Sequence, residues 1–406
     1  MKSSASPPPS LPIGQVLACA GLIVTLSMGI RHGFGLWLQP ITMERGWSRE
    51  TFAFALAIQN LAWGVATPFA GMLADRFGAF KVLLTCSALY ALGLVTMALA
   101  TTGLAFTASA GVVLGLAQAG TTYAVVYGVI GRNVPAERRS WAMGVAAAAG
   151  SFGQFLMVPV ENLLIGSFGW QHALFILGVG ALAIVPLAFG LKEAPFAKPT
   201  AHDQSIGGAI REAFAYPSFV LLMAGYFVCG FQVVFIGVHM PSYLKDHGLT
   251  ANVATTALAL IGLFNVIGTY AAGSLGQVFP KRYILSTIYL LRSIVIVIFL
   301  NVPLSPMSVY VFAATMGVLW LSTVPPTNAV VAQIFGVRHL SMLGGFVFFS
   351  HQIGSFLGVW LGGRLYDATG SYDVVWWIAV GLGVFAALVN LPVRETAIAR
   401  PSAQPA

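Results

Sequence analysis

An all-α membrane protein, built as twelve transmembrane helices in two six-helix pseudo-symmetric halves, is the fold this sequence predicts, and three observations carry the prediction. Of its 406 residues, 58% are hydrophobic and only 8% charged, far from the roughly 25% charged residues of an average soluble domain. Apolar runs recur along the whole chain, each of about 20 residues or more and so able to cross ~30 Å of hydrocarbon as a helix. The second half also repeats the punctuation of the first at an offset of 201 or 202 positions.

The first run, 14–38, is too long for a signal-peptide core. It follows Met1–Pro12, whose Pro7-Pro8-Pro9 stretch and single charge, Lys2, predict a disordered tail that is not cleaved. Within the run sit Arg31 and His32. An Arg at the centre of a membrane helix costs about 2.5–3.5 kcal/mol on insertion scales, so it normally faces the bundle interior or a wet cavity. Arg31 is therefore the first candidate anion-binding group. The second run, 52–74, carries Gln59 and Trp63 and leads into a glycine-rich, charged loop, Gly71 to Lys81. The third is 81–101. The fourth, 104–131, places Tyr123 and Tyr127 on one face, four residues apart.

The fifth run, 141–166, holds Glu161 near its outer end, read as an interfacial solvated carboxylate, a proton carrier or a partner of Arg31. The sixth is 171–191. A polar interruption from Glu193 to about Pro217, with Pro195 and Pro199, then splits the spans six and six. The seventh run, 217–244, contains Gln232 and His239; the eighth, 252–279, contains Asn265, Thr269 and Tyr270; the ninth, 283–302, contains Arg292, whose bland reading is a buried bridge to neighbouring carbonyls. In the tenth, 306–335, the pair Pro325-Pro326 predicts a kink that frees backbone carbonyls. The eleventh, 341–365, puts His351, Gln352 and Ser355 in one polar patch, and 372–392 is the twelfth. The organisation expected is a tail 1–13, bundles 14–192 and 217–393 joined by a linker 193–216, and a tail 394–406.

The halves correspond at Gly29 and Gly230, Pro40 and Pro241, Gly71 and Gly273, Gly115 and Gly317, Gly144 and Gly345, and Gly153 and Gly354. Such duplicated units flank a midplane site in transporters. At the same offsets Arg31 meets Gln232, His32 meets Val233 and Tyr90 meets Arg292. The cations are thus not a repeated necessity of the scaffold, which favours a functional role.

Loop charge sets the orientation. With both termini cytoplasmic, the inner side receives Lys2, Arg76, Lys81, Arg132, Arg138, Arg139, Lys192, Lys198, Arg211, Lys281, Arg282, Arg338, Arg394 and Arg400, against Arg45, Arg49, Lys245 and Arg364 outside. This predicts an inner (plasma) membrane protein with cytoplasmic ends. The net charge of +8 is met by this bias and by anionic lipid, so nucleic acid is not called for. Cys19, Cys86 and Cys229 lie inside spans at no metal-like or disulfide-like spacing. No G-x-x-x-x-G-K-[ST], H-E-x-x-H or G-x-S-x-G motif stands out. No enzyme activity, cofactor or metal is expected, and transport would draw on an ion or counter-solute gradient.

The stretch Gly71-Met-Leu-Ala-Asp75-Arg76-Phe77-Gly78-Ala-Phe-Lys81 resembles the cytoplasmic loop between helices two and three of the major facilitator superfamily, where it helps latch one conformation. Ala79 and Phe80 depart from the usual basic pair, and the second-half counterpart around Gln277 lacks the acid. The run from Arg31-His32-Gly-Phe-Gly through Trp37, Glu44-Arg45-Gly46-Trp47-Ser48, with Gly169-Trp170, further resembles the monocarboxylate porter and oxalate:formate antiporter branch. The resemblance implies the major facilitator fold, with spans one, four, seven and ten around a central cavity. The first-helix lysine of monocarboxylate porters falls on or next to His32, with Arg31 beside it. The basic residue those relatives use on helix eight is missing, and His351 stands where the antiporter has a helix-eleven lysine.

One arginine with titratable imidazoles implies a monoanion rather than a dicarboxylate. The expected function is proton-coupled import of a small organic monocarboxylate by alternating access. Arg31, His32, Tyr123, Tyr127, Gln232, Asn265 and His351 are the candidate binding residues, with Arg292 a minor one. His32, His239, His351 and Glu161 are the candidates for proton coupling, and Gly71, Asp75, Arg76, Gly78 and Lys81 form the gating motif. Proton-coupled efflux of amphiphilic compounds and organic-anion exchange are the alternatives. A transporter-derived sensor would require a longer cytoplasmic module than the linker provides. The partners expected are the anion, protons and the bilayer, with the chain a monomer.

Overall fold

The computed structural model describes residues 11–47, 49–193 and 204–398. The tail through Ser10, the linker prolines Pro195 and Pro199, and the charges Lys2, Lys198 and Arg400 lie outside the described residues. We label the spans α1 (Ile13–His32), α2 (Arg49–Phe77), α3 (Ala79–Leu99), α4 (103–133), α5 and α6 (139–168 and 170–189), α7 (Pro217–Asp246), α8 (Ala251–Val278), α9 (Lys281–Asn301), α10 (306–335), α11 (Leu340–Thr369) and α12 (Asp373–Asn390). Eleven are both long and apolar enough to cross a bilayer. The other, α2, has 29 residues and carries Gln59 and Asn60 at its middle.

Two spans are discontinuous. In α10 the helices Pro306–Leu319 and Val324–Phe335 are separated at Trp320–Thr323, immediately before the paired prolines, as expected from their missing donors. In α4 the helix Leu114–Thr121 ends at Thr122 (φ −116°, ψ −164°) before Tyr123–Asn133 begins; no proline announces this break. The α5–α6 turn falls at Gly169, whose φ of 76° departs from the helix at a residue without a Cβ. The first run also ends sooner than expected as a regular helix. After His32 the chain tightens into a 3-10 turn, Gly33–Trp37, and then the short helix Leu38–Arg45. Arg31 therefore occupies the last turn of α1 and not the middle of a 25-residue helix.

Helix pairing follows the internal repeat. Within the halves α1 packs most extensively on α5, and α7 on α11; α2 lies against α4, as α8 does against α10. Between the halves the main seams are α2 with α11 and α5 with α8. The glycines that aligned at one offset are the crossing points. A Cβ on Gly29 would sit 2.8 Å from the Gly153 carbonyl, and one on Gly354 2.0 Å from that of Phe227, on the equivalent α7–α11 crossing. Gly71 presses on the backbone of Ser341 in one seam, and Gly273 on that of Gly144 in the other. Helices in lipid gain little from apolar burial against one another, so close backbone approach through small residues is what holds such pairs.

The first and last described residues are pinned to the same face of the bundle. The Leu11 amide donates to Asn133 Oδ1 at 3.0 Å, and the Ile398 amide donates to the Ile334 carbonyl at 3.0 Å. Within the linker region Ile206–Ala215 forms a helix capped by Ser205.

Candidate functional site

Arg31 meets the seam between the halves. Its Nη2 donates to Asn60 Oδ1 on α2 at 2.5 Å, and its guanidinium carbon lies 4.7 Å from the centre of the Trp63 ring. Its Nε is buried with no acceptor, and among the described residues no carboxylate lies within ion-pair distance. Asn60 is in turn reached from α11, whose Gln352 Nε2 donates to the Asn60 carbonyl at 3.1 Å and approaches Oδ1 at 3.4 Å. Gln352 Oε1 lies 3.1 Å from His351 Nδ1. A polar chain thus runs Arg31, Asn60, Gln352, His351 across the two halves, with Ser355 Oγ bonded to the His351 carbonyl at 2.9 Å. The imidazole stacks on Phe348 (5.4 Å, 13°) and faces Tyr226 at 5.0 Å.

The chain gives the other expected site residues different surroundings. Glu161 is fully buried rather than interfacial. Its Oε2 accepts from Trp37 Nε1 at 2.9 Å, its Oε1 has no partner, and it makes no ion pair with Arg31. Gly33 leaves it room, since a Cβ there would sit 1.9 Å from Oε2. His32, beside Arg31, is partly exposed. The Tyr123 and Tyr127 rings are 5.4 Å apart and tilted by 35°; Tyr127 donates to the Met143 carbonyl at 3.1 Å, while the buried Tyr123 hydroxyl is unpartnered beside a small cavity lined by Thr122, Tyr226, Asn328 and Phe348. His239 bonds the Val359 carbonyl at 2.9 Å, a contact between helices.

Arg292, Gln232 and Asn265 are gathered at the break in α10 instead of beside Arg31. In lipid, every backbone polar group must find an internal partner. The break frees carbonyls at Leu319 and Trp320. Arg292, fully buried, donates to Leu319 through Nε (3.0 Å) and Nη2 (2.7 Å), and to Trp320 through Nη2. Gln232 accepts from Arg292 Nη1 at 3.3 Å and donates to the Ala379 carbonyl at 2.8 Å. Asn265 takes the freed amide of Leu321 at 2.9 Å and donates to Ser151 Oγ, also at 2.9 Å. Gln59 donates to the Ala110 carbonyl inside the π-helical turn Thr107–Val113 of α4. Trp63 Nε1 donates to Thr122 at the α4 break at 3.3 Å.

At the face carrying the termini, Asp75 joins the halves. Its Oδ2 accepts from the Met342 amide in the first turn of α11 at 2.9 Å, and its Oδ1 pairs with Arg132 at 2.8 Å. A carboxylate at a helix N-terminus is favoured by the unpaired amides and by the dipole. Arg132 is clamped on its other side by Glu193, whose two oxygens accept from Nε and Nη2 at 2.9 Å each. Gly78, with φ of 91°, makes the turn into α3, and Arg76 lies over the Phe77 ring at 5.1 Å. Lys81 is exposed at the start of α3.

Sequence reasoning passed over Asn60, Arg132 and Glu193 as partners. Asn60 and Gly64 are four apart and share a face, and Arg132 meets Gln333 at the 201 offset, the same asymmetry that singled out Arg31.

The Major Facilitator Superfamily profile matches residues 17–331 and 222–406 of the chain. Among curated proteins it is similar to monocarboxylate transporter 11 of Mus musculus, 26% identical with 90% of this chain and 84% of the relative covered. It is also similar to the hexuronate transporter of Bacillus subtilis, 23% identical with 87% and 86% covered. Among solved structures, the E. coli fucose:proton symporter superposes with a TM-score of 0.72 at 16% identity, over 94% of this chain and 99% of that one; this likeness speaks for the fold. With both halves matched and the helix order of that fold present, the chain belongs to the Major Facilitator Superfamily and is a secondary transporter, not an enzyme.

Proposed function

We propose that the chain carries a small organic monoanion inward together with a proton, with Arg31 binding the carboxylate. One observation supports this above the rest: Arg31 is a cation at the seam of the two halves, held by one amide oxygen and one indole face, with a buried Nε to spare and, among the described residues, no carboxylate of its own. The guanidinium fork suits a carboxylate because two parallel charge-assisted hydrogen bonds fix its orientation. The relatives named for monocarboxylates and for hexuronate both point to a substrate of this charge. A proton and a monoanion cross as a neutral pair, which avoids moving net charge through a potential worth ~2.3 kcal/mol per 100 mV.

Glu161 is the proton carrier this reading favours over His32, His351 and His239. Among the described residues this buried carboxylate has one hydrogen-bond partner, the neutral Trp37 indole, and its second oxygen is left open to receive a proton. His239 is already occupied by a helix carbonyl. The excess of Lys and Arg on the face of the termini supports cytoplasmic ends in the plasma membrane.

The test is uptake of labelled lactate, pyruvate and phenylpyruvate into proteoliposomes with and without an inward proton gradient. Gradient-driven accumulation that Arg31→Gln abolishes is the expected result. Uptake driven only by internal unlabelled acid would mean exchange instead. Full activity of Arg31→Gln, or extrusion of amphiphilic dyes with no acid uptake, would overturn the assignment.

A further inference from the structure

We propose that Asn60 is a positioning residue that stands in for the cargo's carboxylate on Arg31 and so links occupancy of the site to the α2–α11 seam. The proposal rests on the reading of Arg31 as the anion site.

Three contacts of one side chain carry the inference. Asn60 Oδ1 is the acceptor on Arg31 Nη2 at 2.5 Å, the same Oδ1 lies 3.4 Å from Gln352 Nε2 of the other half, and Asn60 Nδ2 is anchored on the Leu56 carbonyl at 3.0 Å. The amide oxygen is thus shared between the cation and the seam. The two guanidinium donors that form a side-on fork are Nε and Nη2. Nε is buried without an acceptor, and Nη2 is held by Asn60. A carboxylate entering that fork takes the empty Nε and competes with Oδ1 for Nη2.

Displacing Oδ1 has a consequence across the halves. Gly64, one turn beyond Asn60, runs so close to α11 that a Cβ would sit 2.6 Å from Gln352 Cβ. The backbones are close again at Gly71, where a Cβ would sit 2.3 Å from the Ser341 carbonyl, and the seam ends at the Asp75–Met342 contact. The Gln352 amide is the polar contact at the inner end of this seam. When Asn60 turns away from Arg31, Gln352 keeps the Asn60 carbonyl and loses Oδ1, and the seam is loosened from the cargo site outward. A ligand shifts such an equilibrium only by binding the two states differently, and competition for one oxygen supplies that difference.

The experiment uses purified full-length protein, the Asn60→Ala and Asn60→Asp variants, and lactate, pyruvate and phenylpyruvate as probes. Binding is read by calorimetry. Seam opening is read by hydrogen–deuterium exchange over residues 340–348. The wild type is expected to bind one or more of the probes and to exchange faster at 340–348 when it does. Asn60→Ala removes the competitor, so its affinity rises by about tenfold, and the anion no longer changes the exchange. Asn60→Asp tethers a carboxylate to Arg31 and lowers the affinity by at least about tenfold. The opposite signs separate this from a merely structural Asn60, whose loss would weaken binding in both variants. Equal weakening in both, or wild-type affinity and exchange in both, overturns the proposal while the anion site stands. Failure of the wild type to bind any probe overturns the anion site and the proposal with it.

Discussion

Replacing Arg292 by methionine keeps the length and apolar stem of the side chain and removes every donor from the α10 break. The carbonyls of Leu319 and Trp320, inside the bundle, then have no partner for the lone pairs Arg292 occupied, and Gln232 Oε1 loses its donor as well. Leaving a buried acceptor unsatisfied costs about 1–3 kcal/mol each, so the two carbonyls alone set a destabilisation of about 2–5 kcal/mol once partial relaxation is allowed. The buried cation it removes had its own desolvation cost, which places the net effect toward the lower part of that range. Lysine offers three donors on a point charge in place of a planar fork and is expected to recover only part of the loss. The assay is reversible unfolding in mixed SDS micelles, with anion binding measured on the same samples. Expected is a large loss of stability with binding to the surviving folded fraction retained. An Arg292→Met protein within ~0.5 kcal/mol of wild type, the range of ordinary surface changes, would refute the argument that this arginine is a backbone cap. Loss of binding at unchanged stability would return it to the list of ligand groups.

Asp75→Asn should weaken the closed arrangement of the face carrying the termini by about 1.5–3 kcal/mol, the range for hydrogen bonds to a charged group. Cysteine accessibility at the ends of α2 and α11 on that face should rise accordingly; unchanged accessibility would count against the contact with Met342. Glu161→Gln is expected to preserve anion binding and downhill exchange while losing accumulation driven by a proton gradient, measured in proteoliposomes of set internal pH; intact accumulation would remove Glu161 from the coupling step. Gly354→Leu should prevent close approach of α7 and α11, seen as poor folded yield in size-exclusion profiles, and a normal yield would show that the crossing tolerates bulk.

Most of the fold was legible because lipid imposes simple demands on a sequence. Apolar runs of sufficient length declared the spans, and the glycine correspondences turned out to mark equivalent crossings, such as Gly29 on Gly153 and Gly230 on His351. The paired prolines declared the α10 break. The α4 break was silent, because Thr121 and Thr122 satisfy the carbonyls of Ala117 and Gln118 with their own hydroxyls and need no breaker residue. At the site, Arg31 and His351 stood out as polar groups where polarity is expensive, and the structure links them through Asn60 and Gln352. Their connection was not legible, since Asn60 and Gln352 are 292 positions apart. Gln232 and Asn265 carried the same polar signal, yet Gln232 bonds Arg292 and the Ala379 carbonyl, and Asn265 takes the Leu321 amide at the α10 break. Glu161 looked interfacial from its place near a span end, and only the fold brings Trp37 and Gly33 over it.

The two interrupted spans are braced unequally. At the position matching Arg292, the first half has Tyr90, whose hydroxyl donates to the Ser27 carbonyl on α1 at 3.1 Å and also meets the Gln118 side chain on α4. The α10 break is thus held by a buried guanidinium, whereas the α4 break is closed by two threonine hydroxyls, the Ser27 hydroxyl and an indole. A carrier braced this way is expected to work as an anvil and a hammer, with the lobe that holds Arg31 giving more readily than the one bolted by a guanidinium.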